Sequence, residues 1–437
     1  MSNKSNSSKI ISPMISRLQD EIKINKKEAV SKFWKEIEEI GTPIFEDIEG
    51  DDKYNIITFL VQENAEVENI ICNCIFVTED IREGLLERIE NTNIYFKSYK
   101  ILKGLRETYC LSKNNPLEPK DPTENIFKYG NLVFPDPFNS TFQQYKVDGL
   151  QFPLNEFESP DALPQPYYGE RTNIDHGKVE EFTSHSEVLN NKRKILVYTP
   201  PNYSKKHSPY HFLLLFDGIL FEETAKVSST LDNLIADDKI PPIIAIMVEN
   251  FISVNIALRS CELPPNPKFL EYVIKELLPW AHENFNITID PSQSVIAGAS
   301  YGGIASAFIA FKHPEIFTNI LSMSGTYSWY PSAEYWLLRI KDIDNFEHWW
   351  TKEDEKEAEW LTRQFAQSQK LPLKFYLDVG VLEEVSPINL IISNRHFRTV
   401  LQAKGYLVHY LEFLGGHNLV CWRGSIADGL IYLIGKE

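Results

Sequence analysis

A mostly parallel α/β sheet covered by helices, preceded by a small Ig-like β-sandwich, is the fold class this chain predicts, and three observations predict it. Short continuous apolar runs alternate with helical patterns along the C-terminal part of the chain. Shorter apolar runs separated by polar turns fill the part before it. A serine set between glycines stands where one strand pattern gives way to a helix.

In chain order, residues 1–25 read as a polar segment. Its opening, MSNKSNSSKIISPM, lacks the seven-residue apolar core of a secretory signal. Residues 26–111 contain "YNIITFLV", "IICNCIFV" and "IYFKSYKI", which predict the sandwich. Residues 112–178 are rich in Pro, Asn, Asp and Gly and read as an extended connection. Residues 179–437 carry "KILVYTP", "HFLLLFD", "PPIIAIMVE", "SVIAGA", "NILSMSG", "LKFYLDVG" and "VHYLEF" between helical stretches. Such runs belong to strands buried on both faces, whose active sites collect at the carboxyl ends.

Composition narrows the function. The chain has 44 Lys and Arg against 61 Asp and Glu, a formal net charge of −17 over 437 residues. That balance disfavours a nucleic-acid partner, and with no apolar run of spanning length it predicts a cytoplasmic protein without a membrane partner. Five cysteines, Cys72, Cys74, Cys110, Cys261 and Cys421, are odd in number and scattered. No second pair completes a zinc site with Cys72 and Cys74, so reduced thiols, no metal and no cofactor are expected.

The stretch "SVIAGASYGGIASAFIAF" places Gly298-Ala299-Ser300-Tyr301-Gly302 between a buried strand and an apolar helix face formed by Ile304, Ala305, Phe308, Ile309 and Phe311. A turn this sharp drives its central residue toward positive φ, and small residues at Gly298, Gly302 and Gly303 relieve the crowding. The Ser300 hydroxyl then stands clear of the sheet as a nucleophile, and the Tyr301 amide at the helix start faces a developing oxyanion. This is the nucleophile turn of an α/β hydrolase, in which an acid and then a histidine follow the serine along the chain.

A serine hydroxyl needs an oriented base. His409 lies inside a strand pattern, His396 inside a helical one, and His348 before two tryptophans in a polar region. His417, in "LGGHNLVCWRG", follows a strand in a turn that Gly415 and Gly416 allow to be tight, and is the predicted base. For the acid, "YLDVGVLEEVSPIN" offers Asp378, Glu383 and Glu384. In this fold the acid comes from the turn after that strand, which ranks Glu383 first. The second oxyanion donor is expected after an earlier strand, at Gly218 or Ile219 in "HFLLLFDGILF".

Six strings, "FWKEIEEIGTPIFE", "FPDPFN", "LFDGILFEE", "RSCELPPNPKFLEYVIKELLPW", "GASYGG" and "GGHNLVCWRG", occur in an order that resembles the enterochelin (enterobactin) esterase family over nearly the whole chain after about Ser31. The resemblance implies a small-molecule ester substrate, the trilactone of a ferric catecholate siderophore, cleaved in the cytoplasm to release iron. Ser300 would attack, His417 would carry the proton and Glu383 would hold the imidazole. Arg259 matches a substrate-contacting arginine of the family; its alternative is an ion pair with Glu262. Trp329, with Tyr327, Tyr330 and Trp336, would line a pocket for catechol rings or form core under a lid. Trp422 and Arg423 would orient the histidine loop. The rival reading is a general acyl or feruloyl-type carboxylesterase using the same three residues.

Overall fold

The computed structural model describes residues 12–74, 81–117, 132–147, 150–250, 256–331, 357–384 and 389–436. The chain divides into two units, Met1–Leu163 and Pro164–Glu437.

In the first unit two antiparallel sheets form. One orders its strands β1 (Ile44–Ile48), β2 (Asp51–Gln62), β5 (Ile94–Leu102) and β4 (Glu87–Arg88). The other orders β3 (Ile70–Cys74), β6 (Arg106–Lys113), β9 (Leu150–Glu158) and β8 (Phe142–Val147), with β7 (Val133–Phe134) on β6. Phe59 of β2 meets Tyr109 of β6 and Phe157 of β9 at ring-centroid distances of 4.7 and 6.2 Å. Such pairs add about 0.5–1.5 kcal/mol each beyond burial.

Two expectations are corrected here. Of the expected polar segment 1–25, residues 12–25 do not stand apart, because a helix, α1, runs Pro13–Ile40 with Ser12 capping its Ile15 amide. Arg17 bonds Glu36, 19 positions on. A straight helix would separate them by about 28 Å, so α1 folds back on itself at Asn25, where φ/ψ leave the helical region. Its apolar positions Ile15, Leu18, Phe33 and Ile37 share a core with Ile44, Leu60, Ile94 and Phe96 of the first sheet. Residues 112–178 are likewise not a mere connection, since they supply β7, β8 and β9. Their polar residues are buried: Asp136 accepts the Tyr109 O–H at 2.7 Å, and Asn155 donates to the Tyr109 carbonyl.

The second unit is built on an eight-stranded sheet. Its strands are β10 (Lys178–Ser186), β11 (Asn191–Thr199), β12 (His211–Phe216), β13 (Ile243–Val248), β14 (Ser294–Ala299), β15 (Asn319–Met323), β16 (Lys374–Gly380) and β17 (Leu407–Phe413). The spatial order is β10-β11-β13-β12-β14-β15-β16-β17. β11 runs antiparallel to both neighbours, and every pair from β13 to β17 is parallel, the arrangement of an α/β hydrolase. The described helices are α2 (Gly218–Ala225), α3 (Val227–Ala236), α4 (Ile256–Glu262), α5 (Pro267–Tyr272), α6 (Leu278–Asn284), α7 (Tyr301–Lys312), α8 (Trp360–Gln367), α9 (Leu390–Ala403) and α10 (Leu419–Ile434). α7 packs on β14 and β15, and α10 on β15 and β16.

The chain leaves β12 for β13 on one side and returns as β14 on the other, so a crevice opens at the carboxyl ends of β12 and β14. The β12–β14 register, Leu215 opposite Ala297, brings Asp217 level with Ala299. Ahead of β10, residues 164–177 lie along this unit. Gln165 bonds the Val420 carbonyl and receives the Arg423 Nε–H at 2.6 Å, Tyr168 lies under the Arg423 guanidinium, and Gly177 and His176 hold Asp232. Among the described residues no helix is long and apolar enough to cross a membrane.

Candidate active site

Ser300 sits between β14 and α7 with φ 58 and ψ −121, a conformation that costs a non-glycine residue about 1–3 kcal/mol. Four contacts over-determine it: its N–H bonds the Met323 carbonyl at 2.9 Å, and its carbonyl accepts the Gly303, Ile304 and Thr326 amides. Gly298 is required by the close return of the helix, since a Cβ there would lie 2.6 Å from the Gly302 backbone. At Gly303 a Cβ would meet Ser322 Oγ at 2.6 Å. Gly302 departs from the expectation: a Cβ there would make ordinary contacts with Phe216 Cβ at 3.4 Å and Asp217 Oδ2 at 3.7 Å. The same distances show that the turn after β12 abuts the serine turn.

Strands β15 and β16 lie between the strand of Ser300 and that of His417, a span of about 14 Å at the usual strand spacing. Glu383, in the turn after β16, occupies the interval. Its Oε2 lies 2.7 Å from His417 Nδ1. Its Oε1 accepts the Gly380 N–H at 2.7 Å and the Ser324 O–H at 2.6 Å. The Glu383 side chain is 1% exposed, whereas His417 remains 33% exposed on the opposite side of that bond. The Leu382 N–H bonds the Gly415 carbonyl, lacing the acid turn to the histidine turn.

Of the other two acids, Asp378 is buried within β16, and Glu384 is exposed. Neither Asp378 oxygen has a hydrogen bond of good geometry. Burial pushes its carboxyl up to about 8, against weak support from the Ser425 hydroxyl and with the charge of Glu383 adding to the rise. Among the other histidines, His396 Nδ1 pairs with Glu359, and the His409 ring stacks on Tyr376 at 5.0 Å. His348 lies outside the described residues.

Sequence reasoning missed Ser324. It follows β15 with φ 48, is fully buried, and bonds the Asp378 carbonyl through its N–H. Its Oγ donates to Glu383 and accepts the Trp422 Nε1–H at 2.9 Å. Trp422 in turn meets the His417 ring edge to face at 4.8 Å. The turn after β15 therefore bridges the site, touching Ser300 through Met323 and Thr326 and the acid through Ser324. The signal for it is position alone, the carboxyl end of the strand between nucleophile and acid. Ser300 Oγ lies 3.4 Å from Thr326 Oγ1, and among the described residues it has no hydrogen bond to His417. Catalytic hydrogen bonds often tighten only with substrate bound.

Gly218 and Ile219 occupy the first turn of α2 behind Asp217, whose φ is 57, and Tyr301 is the first residue of α7. Amides at such positions have no partner within their own helix.

Arg259 does not make the expected ion pair with Glu262. It grips Asp217 through two bonds, Nε to Oδ1 at 2.8 Å and Nη2 to Oδ2 at 2.6 Å, and the pair is buried. Glu262 instead pairs with Arg193 at 2.7 Å. Burial opposes the Arg259 charge, and Asp217 outweighs it, leaving the guanidinium above its ordinary pKa. Trp329 belongs to the buried core. It is 4% exposed and packs edge to face on Trp360, while Tyr327 stacks on Phe397. Large rings at a strand end found more apolar surface in the core than at the rim. Trp336 lies outside the described residues.

Residues 186–433 match the model of the Esterase family. The chain is 24% identical over 431 residues to the iron(III) enterobactin esterase of Dickeya dadantii (strain 3937), covering 92% of each chain. It resembles the crystal structure of the enterobactin esterase from Shigella flexneri with a TM-score of 0.68 at 21% identity, covering 90% of this chain and 96% of that one. An endo-1,4-beta-xylanase/feruloyl esterase of Xylanibacter ruminicola is 32% identical over 165 residues, covering 36% of this chain and 23% of that protein.

Proposed function

Because the chain belongs to the esterase family, we propose that it is a serine esterase that opens the lactone bonds of a ferric catecholate siderophore such as enterobactin. The observation that carries the chemistry is the buried Glu383 carboxylate on His417 Nδ1, at the same carboxyl end of the sheet as the strained Ser300 turn. The end-to-end similarity to an iron(III) enterobactin esterase supports the substrate; the feruloyl esterase similarity is confined to part of the chain. In this reading the reaction takes place in the cytoplasm, without a membrane or nucleic-acid partner. The paired antiparallel sheets of the first unit support an Ig-like reading there.

Rotation about χ1 moves Ser300 Oγ off Thr326 toward His417 Nε2. The hydroxyl adds to the lactone carbonyl as His417 accepts its proton, and the oxyanion is met by the amides of Tyr301 and of Gly218 or Ile219. Collapse breaks the C–O bond, and His417 returns the proton to the departing alkoxide of the scaffold. Water, deprotonated by His417, then releases the acyl group and restores Ser300. Glu383 keeps the imidazole proton on Nδ1 throughout, so that Nε2 presents its lone pair to the serine.

Mass spectrometry of products from iron-loaded and iron-free catecholate trilactones tests this. Linear trimer, dimer and monomer are expected from the natural protein and none from Ser300→Ala. Faster turnover of simple p-nitrophenyl esters than of trilactones would favour the general acyl or feruloyl-type esterase.

A further inference from the structure

Arg259 of α4 lies between two turns that the chain brings together from distant positions. Its guanidinium holds both oxygens of Asp217, the residue before Gly218. The same group reaches 3.5 Å from the carbonyl of Ala299, the residue before Ser300, and lies 5.8 Å from the ring centroid of Tyr301, the residue after it. From the other side, Asn250 Oδ1 accepts the Asp217 N–H at 3.1 Å. Asp217 is thus fixed at backbone and side chain, in a left-handed conformation that points the chain into α2.

A buried ion pair is seldom retained for stability, because desolvating two charges consumes most of their attraction. Its side chains are 12% and 3% exposed. What the planar fork supplies is geometry: two parallel bonds fix distance and orientation together. The charge that an anionic ligand would need from Arg259 is already neutralised by Asp217.

We propose that Arg259 is a positioning residue, which locks the turn bearing Gly218 and Ile219 against the turn bearing Ser300 and Tyr301 and so sets the spacing of the two oxyanion donors. The proposal rests on the serine-esterase reading above. Oxyanion donors act on the transition state, so a loosened clamp lowers kcat and leaves KM nearly unchanged.

The test compares Arg259→Gln, Arg259→Lys, Asp217→Asn and the pair Asp217→Asn/Arg259→Gln on neutral p-nitrophenyl acetate and anionic p-nitrophenyl succinate. Asparagine tolerates the left-handed conformation of position 217, and the pair replaces two buried charges with a neutral hydrogen bond, so the pair carries the test if a single variant unfolds. Expected for Arg259→Gln and Asp217→Asn is a loss in kcat of about 10²–10³ on both esters, the scale of one lost oxyanion donor, with KM within about threefold. The pair loses no more than either single change, because both break one clamp, and Arg259→Lys recovers part of the rate. A loss confined to the succinate ester, or carried by KM, with Asp217→Asn unaffected, would make Arg259 a ligand contact and overturn the proposal. Multiplying losses in the pair would overturn it too. Labelling of Ser300 by a fluorophosphonate checks the underlying reading separately: a natural protein that does not label there refutes the nucleophile, whatever the clamp does.

Discussion

Replacing Glu383 by Gln changes one atom's hydrogen-bonding role, and the surrounding bonds dictate where that change falls. Oε1 faces two donors, the Gly380 N–H at 2.7 Å, which cannot rotate away, and the Ser324 O–H at 2.6 Å. The glutamine carbonyl must take that position, which turns its NH2 toward His417 Nδ1. A donor there forces the ring to carry its proton on Nε2, the nitrogen that must accept from Ser300. A wrong tautomer of this kind in a serine-protease triad costs ~10⁴ in kcat, so a fall of about 10³–10⁴ is expected, or roughly 4–5.5 kcal/mol of barrier. Glu383→Ala behaves differently. It leaves both buried donors unpaired, at about 1–3 kcal/mol each in stability, but lets the imidazole choose its tautomer. The glutamine variant should therefore melt higher than the alanine variant and yet turn over no faster. Steady-state kinetics on a p-nitrophenyl ester, with thermal melts by circular dichroism, reads both quantities. A glutamine variant within tenfold of the natural kcat would refute the argument that Glu383 sets the tautomer.

The buried Asp378 keeps a proton up to about pH 8 in the folded chain, whereas an unfolded aspartate releases it near 3.9, so stability falls as pH rises between those values by about 1.4 kcal/mol per unit; Asp378→Asn removes that slope. Its melting temperature should gain on that of the natural protein by on the order of 10 °C between pH 5 and pH 8, and parallel curves would mean that Asp378 is ionised when folded. Gly298→Ala puts a methyl 2.6 Å from the Gly302 backbone, and a loss of more than about 3 kcal/mol is expected; a melt within about 2 °C of the natural protein would show that the turn can relax.

The second unit was legible because its central strands, β12 to β16, are buried on both faces. Each of the seven apolar runs named from the sequence became a strand, β11 to β17. β10 hid as a strand because it is an edge whose residues alternate toward water, "KVEEFTSHS". Ser300, Glu383 and His417 could be placed by chain order and strand ends, since backbone topology decides them. Arg259 could not: its partner, Asp217, lies 42 positions away, and only the crossing from β12 through β13 to β14 brings the two together. The first unit was harder to read for two reasons. In α1 the apolar spacing of Ile15, Leu18, Phe33 and Ile37 is diluted by lysines and glutamates and broken at Asn25. In β9 a proline and an asparagine, Pro153 and Asn155, argue against a strand, yet Asn155 is buried with partners of its own.

The 164–177 stretch bears on how the chain is dissected. A fragment started at Val179, where the strand-rich texture begins, would discard the glutamine and tyrosine that steady Arg423, six positions beyond His417, and would strip Asp232 of two of its neighbours. Cutting at Pro164 keeps that harness with the helices it serves. The natural seam of this molecule falls before the harness, among prolines, and a shorter hydrolase trimmed to the sheet alone would lose these side-chain anchors of the helix that follows its histidine.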